Sequence, residues 1–224
     1  MKELLNKIKF YIKKPPVIVL IGQGSQTAKE AILAVLTPHF KIDKELLIYQ
    51  ANFDNLTDLK FLLKNSKQPI LLASHTSEYY SDKEFFPGDN KIAENILKIA
   101  DFLPSRGYFI FNYDDEAVRD ISQKIKTGQL SFGFGIRADL RASDIVLTQS
   151  PNLGTNFKIN YQGKIVPIWL KNLFGKENIY AALAAAMVGE ILGINLVEIS
   201  NGLKEYKGVD ILDKKGTKIA KTTD

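Results

Sequence analysis

Val17-Ile18-Val19-Leu20-Ile21-Gly22-Gln23-Gly24-Ser25-Gln26-Thr27-Ala28-Lys29 is the stretch that decides the fold. Its first five residues are apolar and mostly β-branched, as in a strand buried on both faces of a parallel sheet. Two glycines one residue apart follow. Then Ala28, Ile32, Val35 and Leu36 recur at helical spacing, which predicts a helix over 27–36. Strand, glycine turn and helix is the order in which backbone N–H groups and a helix N-terminus hold a phosphate. The fully equipped loop reads G-x-x-x-x-G-K-[ST], its lysine reaching the phosphates and its hydroxyl holding Mg²⁺. Here Ser25 and Gln26 follow the second glycine. The loop shape is kept and the charge chemistry is lost.

Outward from this loop, apolar runs alternate with amphipathic ones. Strands are expected at 46–49, 69–73, 107–112 and 130–134, and helices at 56–64, 90–102 and 116–125. Such alternation implies βαβ units and a parallel sheet covered on both faces. From Asp144 the pattern changes to short alternating runs at 145–148, 156–161 and 165–170, broken by Pro151-Asn152 and Gln162-Gly163, which reads as an antiparallel hairpin at the sheet edge. An alanine-rich helix at 178–192 ends at Gly193, and a last helix is expected at 196–206. The fold class is therefore α/β: a P-loop-like, mostly parallel sheet flanked by helices, with an antiparallel edge hairpin. Trp169 and Tyr161 are expected to pack that hairpin.

Before this body, residues 1–16 read as an amphipathic helix closed by Pro15-Pro16, with Leu4, Leu5, Ile8, Tyr11 and Ile12 on one side. It either packs on the domain or rests its lysines on anionic lipid. Residues 17–207 form one domain, and 208–224 are a polar, lysine-rich tail with one strand candidate at 217–220. Among 224 residues there is no cysteine and only His39 and His75, so thiolate or multi-histidine metal sites lack material. Cysteine-free composition fits a cytoplasmic setting. The net charge of +5 comes from scattered lysines without an aromatic-laced basic stripe, which argues against nucleic acid. No apolar run reaches the roughly 18–20 residues of a membrane span.

Three segments together resemble the central, ATP-binding domain of the Mur ligases, with the branch that adds D-alanyl-D-alanine to the UDP-muramoyl tripeptide as the nearest likeness. The first is the loop with its continuation Lys29-Glu30-Ala31-Ile32, similar to the family's T-K-E-x-I. The second is Ala100-Asp101-Phe102-Leu103-Pro104 with Asn112-Tyr113-Asp114-Asp115, similar to F-x-x-L-P-x-x-G … N-x-D-D. The third is Phe132-Gly133-Phe134-Gly135, Ala138-Asp139 through Ile145, and Gly175-Lys176-Glu177-Asn178 through Ala186. It resembles F-G … A-D-x-x-A-x-x-I … G-x-H-N-x-x-N-A-L-A-A.

The resemblance implies ATP-dependent amide ligation in peptidoglycan precursor synthesis. In that chemistry ATP phosphorylates a carboxylate and an amine displaces the phosphate, with Lys and Mg²⁺ stabilising charge. It also implies flanking substrate and C-terminal domains for which this chain has no room, so 208–224 would begin a third domain, and another chain could complete the ligase. The departures fall on the chemistry. Ser25 stands for the loop lysine, Gln26 for the metal-binding threonine, Ala73 for the metal-binding glutamate and Ile96 for the carbamoylated lysine. The segment carrying a metal-binding histidine looks deleted between Ser81 and Asn90. This predicts a nucleotide site formed by Gly22, Gly24, Ser25, Gln26, Thr27, Lys29, Asn112, Asp115 and Asn178, with ATP as ligand, Mg²⁺ poorly supported and catalysis impaired. The alternative is a non-catalytic nucleotide- or partner-binding scaffold.

Each site residue also has a structural reading. Gly22 and Gly24 either cradle a phosphate or merely turn the chain. Lys29 either replaces the missing cation or points to solvent. Asn112, Asp114 and Asp115 follow a strand at the edge where open α/β sheets bind ligands, yet Asp-Asp before a helix is also a cap. Asn178 matches a position near the adenine and suits a helix N-cap. His75 near Glu78 reads as a surface histidine or as half of an acid–base or metal pair.

Overall fold

The computed structural model describes residues 8, 10–51, 56–77, 87–149 and 153–209. Within them lie strands β1 (Val17–Ile21), β2 (Leu47–Gln50), β3 (Pro69–Ala73), β4 (Tyr108–Asn112), β5 (Gly128–Gly133), β6 (Leu140–Thr148), β7 (Gly154–Tyr161) and β8 (Lys164–Lys171). The helices are α1 (Ser25–Leu36), α2 (Leu56–Asn65), α3 (Asn90–Ala100), α4 (Glu116–Ser122), α5 (Lys176–Ile191) and α6 (Leu196–Leu203). All eight strands join one sheet in the order β2-β1-β3-β4-β5-β6-β7-β8. From β2 through to the β5–β6 pair the pairing is parallel, whereas β6–β7 and β7–β8 are antiparallel. This is the expected α/β sheet with an antiparallel edge. Residues 10–13 are helical, while most of the expected N-terminal helix and the strand candidate at 217–220 lie outside the described residues.

Burial explains the layers. Every residue of β1 and β3 is buried. Successive side chains point to opposite faces, so Ile18, Leu20, Ile70 and Leu72 join one core and Val17, Val19, Ile21 and Leu71 the other. The first core lies under α1, α5 and α6, and the second under α2, α3 and α4. Helix α5 is buried over most of its circumference, which its alanines permit by letting α1 and the sheet approach from both sides.

Two boundaries depart clearly from the sequence reading, the starts of α5 and of β6. Helix α5 starts at Lys176 rather than Asn178, and its N-cap is Gly175. Strand β6 begins at Leu140, five residues before the expected start. Leu140 and Ala142 do alternate inward, but a register shift between Ser143 and Val146, with Asp144 at φ 51°, breaks the period-two pattern mid-strand. Pro167 lies within β8, an edge strand where a missing N–H costs no ladder bond. Its carbonyl accepts from Ser200 Oγ at 2.8 Å, so α6 shields part of that edge.

Candidate functional site

Because β1, β3, β4 and β5 run parallel, their carboxyl ends meet at one edge, bringing together residues 22–27, 74–76, 112–115 and 132–135. The chain passes from β1 to β2 on one side and returns to β3 on the other. The gap between the carboxyl ends of β1 and β3 is therefore the topological switch point, where open α/β sheets bind ligands. In this molecule that gap is stitched shut. Gln23 N donates to His75 O at 2.7 Å, Ser74 Oγ donates to Gln23 O, and Ser74 N donates to Ile21 O at 3.0 Å.

Gly22 and Gly24 are required by this closure. Their φ angles are 99° and 73°. A Cβ on Gly22 would stand 2.4 Å from His75 O, and one on Gly24 2.5 Å from His75 Cε1. His75 is thus packed against the loop at 5% exposure, correcting the reading of a surface histidine. Burial pushes its imidazole down to about 4, so it is neutral near pH 7. Its sequence neighbour Glu78 lies outside the described residues.

Beyond the loop, Thr27 Oγ1 donates to Glu177 Oε1 from the first turn of α5. Glu177 stands where the quoted family run has histidine. A carboxylate therefore lies against the first turn of α1, near the helix N-terminus where a phosphate would be held. Between Gly24, His75, Phe132, Glu177 and Tyr180 a cavity of only about 10 Å³ remains, roughly the room for one water. Gln26 Nε2 donates to Glu30 Oε1 at 3.0 Å and Gln50 Nε2 to Ser25 Oγ at 3.5 Å, so both loop positions that departed from the consensus have protein neighbours. Lys29 is half-buried on α1. Lys176 lies over the Phe134 ring, 5.9 Å from its centroid.

The N-x-D-D segment binds loops to one another. Asn112 is fully buried and its Oδ1 accepts from Asp114 N at 3.0 Å, leaving Nδ2 without a hydrogen-bond partner among the described residues. Asp114 accepts from Phe134 N at 2.7 Å, Gly135 N at 3.1 Å and Tyr180 Oη at 2.9 Å, fixing the turn after β5 to α5. Asp115 caps α4 by accepting from Val118 N at 3.1 Å, and takes Thr76 N at 2.7 Å and Thr76 Oγ1 at 2.8 Å. Burial raises its carboxyl above the ordinary range, against the lowering effect of those donors. Asn178 is not the cap of α5. Its Nδ2 donates to Phe174 O at 2.7 Å and its Oδ1 accepts from Tyr206 Oη at 2.9 Å.

Of the predicted site residues, Gly22, Gly24, Asn112 and Asp115 lie at this edge, Ser25, Gln26 and Thr27 open α1 beside it, Lys29 sits further along that helix, and Thr27 and Asn178 are joined through Tyr206, whose hydroxyl also reaches Thr27 O at 3.5 Å. The reading of single positions does not find Glu177, Tyr180 or Thr76, and for His75 it offers a surface place or a metal or acid–base pair but not the packed position beside the loop. Glu177 was detectable as a departure from the quoted run, whereas Thr76 carries no sequence signal. Ala73 and Ile96, which stand for the metal glutamate and the carbamoylated lysine, are wholly buried in apolar core. No group of three or more metal-ligating side chains occurs among the described residues. A triphosphate with Mg²⁺ does not fit this arrangement: the loop is closed, a carboxylate faces it, and the ligand positions are alkyl. No described helix is long and apolar enough to cross a membrane.

Comparison with known proteins places this geometry. Residues 83–189 match the Mur ligase middle domain. A UDP-N-acetylmuramate–L-alanine ligase from Dictyoglomus turgidum is 26% identical over 213 residues, 88% of this chain and 45% of that protein. One from Clostridium botulinum is 32% identical over 132 residues, 58% of this chain and 26% of the relative. The chain spans less than half the length of these curated relatives. Its fold is shared with the D-alanyl-D-alanyl-adding ligase from Acinetobacter baumannii at TM-score 0.70, 19% identity, and coverage of 91% of this chain and 48% of that one. It is also shared with the MurF ligase from Thermotoga maritima in complex with ADP, at TM-score 0.67, 16% identity, and coverage of 88% and 50%. In sequence this chain is thus similar to the Mur ligases, with the match to their middle domain at residues 83–189, and its fold is the one these ligase structures share.

Proposed function

We propose that this chain serves peptidoglycan precursor synthesis, in the cytoplasm, as a Mur ligase-like module that does not itself drive amide formation with ATP. It acts as a scaffold for a protein partner or for ligase domains that complete it. Its curated relatives are named for ligation to UDP-N-acetylmuramate, which makes that muramoyl nucleotide pathway the setting of the module. The observation that carries the reading is the sealed switch point, where His75 fills the space beside Gly24 and Glu177 holds the hydroxyl of Thr27. A loop lysine and a metal clamp each supply several kcal/mol of transition-state stabilisation, and this chain offers an anion and buried alkyl groups instead.

The test is calorimetry of the chain with Mg-ATP and with ATP alone, backed by thermal shift. No heat and no change in melting temperature at millimolar nucleotide are expected. A ligand present at 100 times its dissociation constant would stabilise the fold by ~2.7 kcal/mol, an easily measured shift. Saturable binding in the micromolar range would refute the closed site. ATP cleavage coupled to a new amide bond would refute the whole reading. The triple variant Ser25→Lys, Gln26→Thr, Glu177→His is expected to gain Mg-ATP affinity if the loop backbone can still open.

A further inference from the structure

The edge of the sheet opposite the sealed loop has a different character. Strands β1, β3 and β4 run parallel, so their amino ends also meet, and residues 10–16, 61–68 and 104–107 gather there. Direct bonds tie them. Lys67 N donates to Lys14 O at 3.2 Å, Ser66 Oγ to Pro15 O at 2.8 Å, and the Arg106 guanidinium to Lys64 O at 2.6 Å and Ser66 O at 2.8 Å. Lys13, Lys14, Lys64, Lys67 and Arg106 are all exposed. The three segments contain no aspartate or glutamate. The fold thus collects cations that look scattered along the sequence.

The helical residues 10–13 join this edge through Phe10, whose ring lies 5.5 Å from that of Phe61 and packs against the core under α2, α3 and α4. At about 100° per residue, Phe10 faces away from Ile8 and Ile12. The domain therefore takes Phe10 and leaves the expected apolar stripe outside: Ile8 is 47%, Tyr11 57% and Ile12 75% exposed. Lys14 Nζ lies 5.2 Å from the Tyr11 ring centroid, so ammonium and aromatic stand together. Exposed apolar groups beside cations without carboxylates complement the surface of a bilayer that holds anionic lipid. There the cations meet headgroup phosphates and the apolar side chains enter the acyl boundary. A nucleic acid would use the cations and leave Ile8 and Ile12 in water.

We propose that the amino edge of the sheet docks this chain on an anionic lipid surface, through Ile8, Tyr11 and Ile12 and the cations around Lys14 and Lys67. The sealed loop then sits at the opposite edge of the sheet, away from the bilayer. Docking of this kind is independent of whether the chain takes nucleotide. Flotation of the full chain with vesicles tests it. Binding is expected to phosphatidylcholine vesicles that contain phosphatidylglycerol and not to phosphatidylcholine alone, with release as salt is raised. Each cation near the surface contributes about fivefold in affinity, so the double variant Lys64→Glu, Lys67→Glu should bind at least ~25-fold more weakly. Ile12→Ser should weaken binding as well. Because the chain has no cysteine, Ile12→Cys gives a single thiol for an environment-sensitive dye. Its emission should shift to the blue on the anionic vesicles, and that of Asn201→Cys, on α6, should not. Equal binding to both vesicle types, or binding to neither, would overturn the proposal, as would affinity unchanged by the charge reversals and by Ile12→Ser. So would a blue shift at Ile12→Cys that grows with protein concentration in the absence of vesicles, which would assign the face to a second copy. Capture of a single-stranded oligonucleotide in place of the vesicles would assign it to nucleic acid and overturn the proposal too.

Discussion

His75 titrates in the folded protein near 4, against about 6.5 when unfolded. Between those values the unfolded chain holds a proton that the folded chain does not, so stability rises with pH across the window. The contribution is complete above about 6.5 and is lost as pH falls toward 4, reaching at most about 3 kcal/mol. Asp115 has the opposite sign. Its raised carboxyl favours folding most below its ordinary value, and that part is lost as pH rises through the folded value. Urea midpoints measured from pH 4 to 7 should climb for the native chain and climb less for His75→Gln. An identical slope in both would mean that the imidazole is charged when folded, and that the seal beside Gly24 is looser than the geometry states.

At the scale of elements, Asp115 ties three of them. It caps α4, holds Thr76 beyond β3 and, through Thr76 Oγ1, which accepts from Asp89 N at 2.7 Å, reaches the cap of α3. Asp115→Ala removes a cap worth ~1 kcal/mol and strands the buried Thr76 N–H, so a loss of about 2–4 kcal/mol is expected. Asp115→Asn, which retains acceptor oxygen, should cost less, and hydrogen exchange should speed up at Thr76 and Val118 in the alanine variant alone. Equal costs for the two variants would reject the bridging role. The strand pattern made β1 and β3 legible to the residue, because five buried apolar residues between breakers have one reading in a parallel sheet. Strand β6 was half hidden, because its bulge disrupts alternation. The gathering of site residues at one edge was legible from strand ends alone. Closure of that edge was not, because it depends on the contact of loops 22–24 and 74–76, about fifty residues apart in the chain.

For the whole molecule, the sheet is a single wall with a core on each face, and adjacent residues of β3 serve different cores. Leu72 packs under α1, α5 and α6, and Leu71 under α2, α3 and α4, both without exposed surface. A strand shared in this way cannot lose one layer and keep the other, because β3 is an interior strand and unpairing it separates β1 and β2 from the rest of the sheet. Leu71→Ala and Leu72→Ala should each cost about 2–5 kcal/mol, and each should move one common unfolding transition rather than split it. Trp169, the chain's lone tryptophan, sits on β8 at the far antiparallel edge, so its fluorescence reports on the part of the sheet most distant from β2. Tryptophan fluorescence and far-ultraviolet circular dichroism should therefore give coincident urea curves in the native chain and in both variants. If Leu71→Ala separates the two curves, the face under α2, α3 and α4 unfolds by itself. The protein would then be two stacked units sharing a strand, and its sealed edge, which draws residues from both, would open without global unfolding.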